Sequence, residues 1–375
     1  VGVQTLQACT GDDNTVVGGF AGLSITSGTR NTGLGYGSCD AVTTGSDNIG
    51  IGYNGCGAIT TGVSNIGIGR NTLNTTSTGS HNIAIGYTAL ASNTGSNNVA
   101  VGKEVMVANT TGYHNTAVGN AALDANTEGY TNDAFGSGAL GSNTTGDNNC
   151  AFGVGSLGAN TTADNNTAFG RRSMQSNTTG TENVAVGGFC MDQNTTGNQN
   201  NAVGNSCFYS NTTGSSNNAF GYKTLQTNTT GSNNTAVGHN ALFGNTTAGN
   251  NTAVGYYALR VNTTGTQNTA VGANALDSLT TGSENTGFGF QAAHNLTTGL
   301  YNTAIGYNAA RDLTTGQSNV TLGINAGLDL TTGSGNLILG TNSGRSGAPS
   351  GSITTSNNIV CLGDNSVQAL FCADT

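Results

Sequence analysis

The stretch that decides the fold is Asn228–Gly244, N-T-T-G-S-N-N-T-A-V-G-H-N-A-L-F-G, because residues 245–261 repeat its pattern as N-T-T-A-G-N-N-T-A-V-G-Y-Y-A-L-R-V. The Gly that closes each N-x-x-x-G segment occurs twenty times, from Gly18 to Gly340, at a spacing of 17 residues. One step, which ends at Gly102, has 16 residues. We count positions in each coil from this reference Gly. Such a short fixed period is the signature of a solenoid.

The apolar positions predict strands. Short apolar segments interrupted by Gly and Asn corners are typical of β-structure, and seventeen residues are too few for a helical hairpin. Position −1 is always large and apolar and position +4 usually so, and we expect both to face the core. Positions −2 and +3 are nearly always small, as in Ala236 and Ala241, which suits a close approach of backbone or of another chain. We predict an all-β parallel β-solenoid (β-roll) of about twenty 17-residue coils, with two short strands per coil.

Two further positions are polar or glycine in almost every coil. Position −4 is Asn in all twenty, and we expect a structural amide ladder, for example at Asn217, Asn234, Asn251 and Asn268. Position −7 is Gly in eighteen coils, with Ala163 and Ala248 as the exceptions. A position that is nearly always Gly suggests a corner with positive φ.

Position −10 divides the chain. It is Asn in ten consecutive coils from Asn109 to Asn262 and then Leu in four, from Leu279 to Leu330. Since an exposed row of Leu would be an apolar stripe, we expect this position to face inward or a chain–chain contact. We therefore distinguish N-terminal coils with variable turns (1–102), regular coils with N-T-T-G turns (103–272), coils with L-T-T-G turns (273–340), and an irregular C-terminal segment with one last coil (341–375).

The Asn-rich sequence also contains N-glycosylation sequons. Nine of the ten Asn at position −10 stand in N-T-T sequons, but glycans on one closely spaced row would crowd, and an interior Asn could not carry them. We expect glycosylation, where it occurs, at isolated sequons such as Asn74 and Asn319.

Composition argues against several function classes. Only 7% of the residues are charged, the formal net charge is −9, and the 9 Lys and Arg are scattered along the chain, so we expect no nucleic-acid partner. No segment approaches the ~20 apolar residues of a membrane span, and we expect no membrane insertion. The start at Val1 lacks a signal segment, which fits a mature or trimmed chain.

The eight Cys fall non-randomly, although Cys9 and Cys150 have no obvious partner. Cys39 and Cys56 share position +4 in neighbouring coils, and Cys190 and Cys207 share position +3. Stacked Cα atoms about 5 Å apart are within disulfide range, although Cys can also serve as small apolar filling. A further candidate pair is Cys361 with Cys372. Oxidised bridges would imply an extracellular protein, and no Cys/His spacing indicates zinc.

We expect no catalytic residue and no cofactor. The four His occupy different coil positions, so no nucleophilic triad is supported. Asp312 and Asp329 stack at position +6 and are a weak candidate for a Ca²⁺ or Mg²⁺ contact; the alternative is a solvated corner beside Arg311. Adjacent Thr at positions −9 and −8 suggest ice binding, but they point to opposite faces. Tyr at position +1 could stack on sugars or be ordinary surface.

The coil core N-T-A-V-G-x-x-A-L, at 234–242 and 251–259, resembles the repeats of trimeric autotransporter adhesin heads. The array N-T-T-G-x-x-N-T-A-V-G, as at 228–238, is similar to shafts of phage and algal-virus tail fibres. The ending I-V-C-L-G-D-N-S-V-Q-A-L-F-C-A-D-T (359–375) is similar to the segment before an endosialidase-type intramolecular chaperone, which drives trimerisation and cuts itself off.

The resemblance implies a homotrimeric fibre shaft or adhesin. Its partners would be two further copies of the chain and a cell-surface glycan or protein receptor, and its location would be extracellular, on a virion tail fibre or a cell-surface appendage. The alternatives are a cell-derived extracellular filament or glycosylated rod and, less favoured, an ice-binding or glycan-cleaving solenoid.

Overall fold

The chain is a parallel β-solenoid, as predicted. The computed structural model describes residues 2–75, 78–345 and 353–364. Two compact units are present, Val1–Thr196 and Gly197–Thr375, and within each unit every coil contributes one strand that pairs in parallel with the next. Thr235 pairs with Thr252, and Thr252 with Thr269, so equivalent positions stack at the 17-residue period. The described residues contain no helix long and apolar enough to cross a bilayer.

Every strand has three residues and occupies positions −3 to −1 of its coil. The first unit contains β1 Thr15–Val17, β2 Thr32–Leu34, β3 Ile49–Ile51, β4 Ile66–Ile68, β5 Ile83–Ile85, β6 Val99–Val101, β7 Thr116–Val118, β8 Asp133–Phe135, β9 Cys150–Phe152, β10 Thr167–Phe169 and β11 Val184–Val186. The second unit contains β12 Asn201–Val203, β13 Asn218–Phe220, β14 Thr235–Val237, β15 Thr252–Val254, β16 Thr269–Val271, β17 Thr286–Phe288, β18 Thr303–Ile305, β19 Val320–Leu322, β20 Leu337–Leu339 and β21 Val360–Leu362.

The expectation of two strands per coil was wrong, because the second apolar segment is not extended. Its large residue at position +4 has a left-handed backbone, with φ of 50° at Leu242 and 52° at Leu259. An extended strand requires negative φ. The segment therefore forms a tight corner that carries a core side chain.

Fewer strand residues are buried in the core than the sequence suggested. Along each strand only the middle residue is buried: Ala236 is fully buried, whereas Val237 is 38% exposed. The small residue at position −2 faces a large residue at position +4, and Gly287, which replaces the usual Ala, lies against Leu276. The prediction that position −1 faces the core was therefore wrong. Ala at position −2 and Leu at position +4 fill the interior, and position −1 points outward.

Glycine is favoured in two rows for different reasons. The reference glycines have φ between 110° and 142°, where side chains are disfavoured. The Gly at position −7 lacks the positive φ that we expected. Instead, an added Cβ at Gly231 would lie 2.2 Å from the carbonyl oxygen of Ala248 in the next coil. Close approach of stacked backbones, rather than a left-handed corner, explains this row.

Candidate functional site

The most distinctive surface is formed by the strands. We call the side chains at positions −3 and −1 the outward face of each unit. In both units every −1 residue is Val, Leu, Ile or Phe. Leu34 is 50% exposed and Phe288 is 54% exposed, although neighbouring coils cover part of each. Uninterrupted apolar rows on a surface mark sites of protein interaction.

The outward face also lacks charge. Among the described strands its only charged side chain is Asp133, and the other −3 residues are mainly Thr, Asn, Val and Ile. In the first unit the rings of Phe135 and Phe152 stack at 4.3 Å between centroids, and those of Phe152 and Phe169 at 4.5 Å. Depletion of charge together with aromatic enrichment is the composition of an interface core.

One Cys lies on the outward face. Cys150 occupies position −3 of β9, where burial and then the nearby Asp133 carboxylate raise its pKa. The sequence offered no partner for Cys150 within the chain. On this face the Cys150 side chain is partly exposed.

The Asn at position −4 form a buried row. Asn217, Asn234, Asn251 and Asn268 are fully buried. The backbone N–H of Asn234 donates to Asn217 Oδ1 at 3.0 Å, and that of Asn268 donates to Asn251 Oδ1 at 2.9 Å. The Nδ2 of Asn234 donates to the carbonyl of Ala248 in the next coil at 2.9 Å. The amides thus satisfy backbone groups just before each strand begins, which assigns them to the scaffold.

Position −10 faces inward in both its Asn and Leu versions, which confirms that expectation. Asn262 Nδ2 donates to Asn245 Oδ1 at 3.1 Å and to the carbonyl of Gly265 at 2.8 Å. The next residue of the row, Leu279, has no donor, and the buried Oδ1 of Asn262 has no hydrogen-bond partner. In the 16-residue coil Asn93 takes this place, so the missing residue falls in the corner that follows.

The sequons differ in accessibility. All nine N-T-T Asn at position −10 are fully buried. Asn319 is also buried, and its Nδ2 donates to Asn302 Oδ1 at 3.0 Å and to the carbonyl of Gly333 at 2.9 Å. Because N-glycosylation uses that nitrogen, the folded chain does not offer Asn319. Asn74 is partly exposed and keeps its place as a candidate.

The first Cys pair lies in the core. Cys39 and Cys56 are buried free thiols in neighbouring coils. A hydrogen bond with Cys39, followed by burial, raises the pKa of Cys56 well above its ordinary value. The Cys56 Sγ lies 3.2 Å from the carbonyl of Ile49. As thiols, the two residues fill the place that Leu or Met takes in other coils.

The remaining candidate pairs are Cys190 with Cys207 and Cys361 with Cys372. Cys190 lies buried in the first unit, and Cys207 lies buried in the second, where its Sγ donates to the carbonyl of Ala219 at 3.3 Å. Cys361 is buried, and Ser343 Oγ lies 3.1 Å from its Sγ. Its candidate partner Cys372 lies outside the described residues. These pairings stay predictions.

The stacked carboxylates are accompanied by an arginine. Arg311 Nε and Nη2 each lie 2.9 Å from an oxygen of Asp312, and this pairing raises the pKa of Arg311. The negative charge of Asp329 acts in the same direction. Asn295 Nδ2 donates to Asp312 at 3.1 Å. Nowhere in the described chain do three His, Cys, Asp or Glu side chains converge as metal ligands do.

Side chains of the Thr and Tyr rows contact equivalent residues in neighbouring coils. Thr229 Oγ1 donates to the carbonyl of Thr246 at 3.0 Å, whereas Thr230 is exposed. The rings of Tyr36 and Tyr53 stack at 5.4 Å with an angle of 7°. About half of each side chain is still exposed, 51% for Tyr36 and 49% for Tyr53.

A charged corner was not recognised from the sequence. At positions +2 and +5, buried carboxylates meet arginines: Arg260 Nε lies 2.9 Å from Asp277, and Arg172 Nε lies 3.3 Å from Asp192. Burial raises the pKa of Asp277, and the charge of Arg260 opposes that rise. The available signal was the 17-residue spacing of Arg260 and Asp277.

Comparison of the chain with protein-family models, with curated proteins and with solved structures finds no match.

Proposed function

We propose that the protein is the shaft of an extracellular fibre or adhesin, of the kind carried by a virion tail, in which three copies of the chain associate through their outward faces. The shaft would hold a receptor-binding end away from the particle. The observation that carries the proposal is the uncharged row of exposed Val, Leu, Ile and Phe along the strands of each unit.

The physical reason is the cost of leaving that row in water. Burial of apolar surface contributes about 25 cal/mol per Å². Each coil adds one more large side chain to the row, so association stabilises every coil by a similar amount. Homo-oligomers close by rotational symmetry, and an identical row on each copy suits packing around one axis. The resemblance to trimeric adhesin heads and fibre shafts favours three copies.

The mass of the native particle tests the proposal. We expect three times the 37.2 kDa of one chain, with no added glycan. A single chain carrying heavy glycan would contradict the proposal and favour the cell-derived glycosylated rod. Thermal hysteresis and glycan hydrolysis would have to be shown for the ice-binding and glycan-cleaving alternatives to replace it.

A paired substitution locates the interface. Val237→Asp with Val254→Asp places two carboxylates on the outward face of the second unit, where we expect them to reduce the mass to that of one chain while circular dichroism keeps its β signal. The matched control is Thr230→Asp with Thr247→Asp, at exposed positions. Glu128 already occupies the equivalent position −8, so acid is tolerated there. An unchanged mass in the Val variants would place the interface elsewhere.

A further inference from the structure

The corner at positions +2, +5 and +6 contains an interruption in the first unit. In most coils position +2 carries a side chain, such as Glu104, Arg172 or Phe189. In two consecutive coils both +2 and +5 are glycine, at Gly138, Gly141, Gly155 and Gly158. An added Cβ at Gly138 would meet no atom within 4 Å. The absent side chains leave a notch in an otherwise regular surface.

The notch has the size of a ligand site and polar walls. Its volume is about 560 Å³, within the range of roughly 300–1,000 Å³ for small-molecule sites. Ser142 lies at one side, and Ser176, Gln175 and Arg172 lie at the other, above the glycine backbone. The lining therefore offers hydroxyl, amide and guanidinium groups, without an aromatic or large aliphatic side chain.

The arginine in the notch is held in place and electrically balanced. Arg172 Nε donates to Gln175, and Arg172 Nη2 donates to Asp192 Oδ2 at 3.4 Å. The Asp192 side chain is 3% exposed, whereas that of Arg172 is 42% exposed. The guanidinium can still present donors to the notch, but the carboxylate offsets its charge. An anion therefore gains little there, and a neutral hydroxyl-bearing ligand fits better.

We propose that this notch binds a short neutral saccharide of one or two pyranose rings. Vicinal hydroxyls both donate and accept, and would be matched by the Ser, Gln and Arg groups around the glycine floor. This proposal rests on the proposed function as a fibre shaft or adhesin. It assigns part of the contact with receptor glycans to the shaft itself. None of the notch residues belongs to the outward face.

The chain suggests how to fill the notch without disturbing the fold. Gly138 and Gly155 have φ of 64° and 66°, and the Asn residues at the same coil position, Asn240 and Asn308, have φ of 55° and 54°. Asn is thus compatible with this backbone. Gly138→Asn with Gly155→Asn should fill the notch and keep the melting temperature within a few degrees. Ser206→Asn adds the same side chain at position +2 of the second unit and is the matched control.

The experiment is saturation-transfer NMR on the full chain with methyl α-D-glucopyranoside, methyl α-D-mannopyranoside and N-acetylglucosamine as separate probes. We expect transfer to at least one probe in the wild type and in Ser206→Asn, loss of transfer in the filled variant, and weaker transfer in Gln175→Ala. Equal signals from the wild type and the filled variant would overturn the proposal, as would transfer to acetate alone. Native mass, measured on the same samples, tests the fibre assembly separately: a binding monomer would contradict the trimer only, and a trimer without transfer would contradict the notch only.

Discussion

Many non-glycine residues of this chain have a left-handed backbone conformation. At position +4, burial of the side chain explains why this conformation is tolerated. Leu242 has φ of 50° and Phe208 has φ of 52°, a conformation that costs a side-chain-bearing residue on the order of 1–3 kcal/mol. Both side chains are fully buried, which stabilises each by about 1.5–3 kcal/mol. The two effects are of similar size, so a large apolar side chain at this corner offsets the strain of its own backbone.

The two glycine rows should respond differently to alanine. Gly238→Ala puts a Cβ at φ of 131° and 2.4 Å from the carbonyl oxygen of Gly255, and we expect it to destabilise the second unit by about 3 kcal/mol or more. Gly231→Ala should cost less, because Ala163 and Ala248 already occupy that position in other coils. Urea unfolding followed by circular dichroism measures both. Equal losses would show that close approach, rather than φ, limits the reference row.

Sequence reasoning recognised both rows of glycine but could not assign their causes. A recurrent Gly is compatible with positive φ or with a close neighbour. An added Cβ would meet a stacked carbonyl in both rows, and only the positive φ of the reference glycines distinguishes the two rows. The same ambiguity affected the strand. In T-A-V either Ala236 or Val237 could face inward, and hydrophobicity favoured Val. The corner that carries Leu at position +4 lies so close to the strand that only a small residue such as Ala fits between them. The sequence does not show this distance.

The coil as an element depends on side-chain amides as much as on its strand. Three strand residues provide few ladder bonds per coil, and the −4 amides extend the pairing at the start of each strand. This arrangement was predictable, because an Asn present in every coil has few explanations other than a stacked ladder. The charged corner was less predictable, since Arg260, Asp277 and His294 share position +5 with residues of every kind.

Position −10 changes from Asn to Leu between Asn262 and Leu279. Moving this change one coil earlier should reduce the free energy of unfolding only slightly. In Asn262→Leu the unsatisfied oxygen of Asn262 is removed and that of Asn245 replaces it, so the number of unsatisfied oxygens stays the same. In Asn245→Leu the oxygen of Asn228 loses its donor while Asn262 keeps its own unsatisfied oxygen. We expect Asn245→Leu to be less stable than Asn262→Leu by about 1–3 kcal/mol.

The comparison requires urea midpoints for the two variants under one condition. Since both substitutions replace the same side chain in the same unit, differences in volume and in the denatured state largely cancel. Equal midpoints would contradict the hydrogen-bond account of the row.

At the scale of the whole molecule, the response to pH follows from buried carboxyls. Burial raises the pKa of Asp40 and Asp124 in the first unit and of Asp277 in the second. A group with a raised pKa in the folded state favours folding when protonated, so its contribution to stability increases as pH falls. Asp47 opposes this trend, because its hydrogen bond with Arg30 lowers its pKa, but that pair is exposed and weak.

Mild acidification should therefore stabilise the chain. Between about pH 7 and about pH 4.5 we expect the melting temperature to rise, with part of the rise lost in Asp124→Asn. This variant separates protonation of Asp124 from the general loss of negative charge at lower pH. The chain has a net charge of −9, and that general loss occurs in the wild type and in the variant alike. Melting curves that fall with pH, or that are parallel in the two proteins, would contradict the assignment.

The constant stacking period has a consequence for how such a gene can change length. Deletion of residues 245–261 joins Gly244 to Asn262 and returns every later residue to an equivalent position, because contacts run between successive coils. We expect this variant to fold with a melting temperature within a few degrees of the parent. Deletion of Val254 alone should instead disrupt folding, since a one-residue slip reverses inward and outward side chains. Circular dichroism and thermal melting compare the two deletions. Genes for this fold can therefore change length by gaining or losing whole coils, because such changes keep equivalent positions stacked.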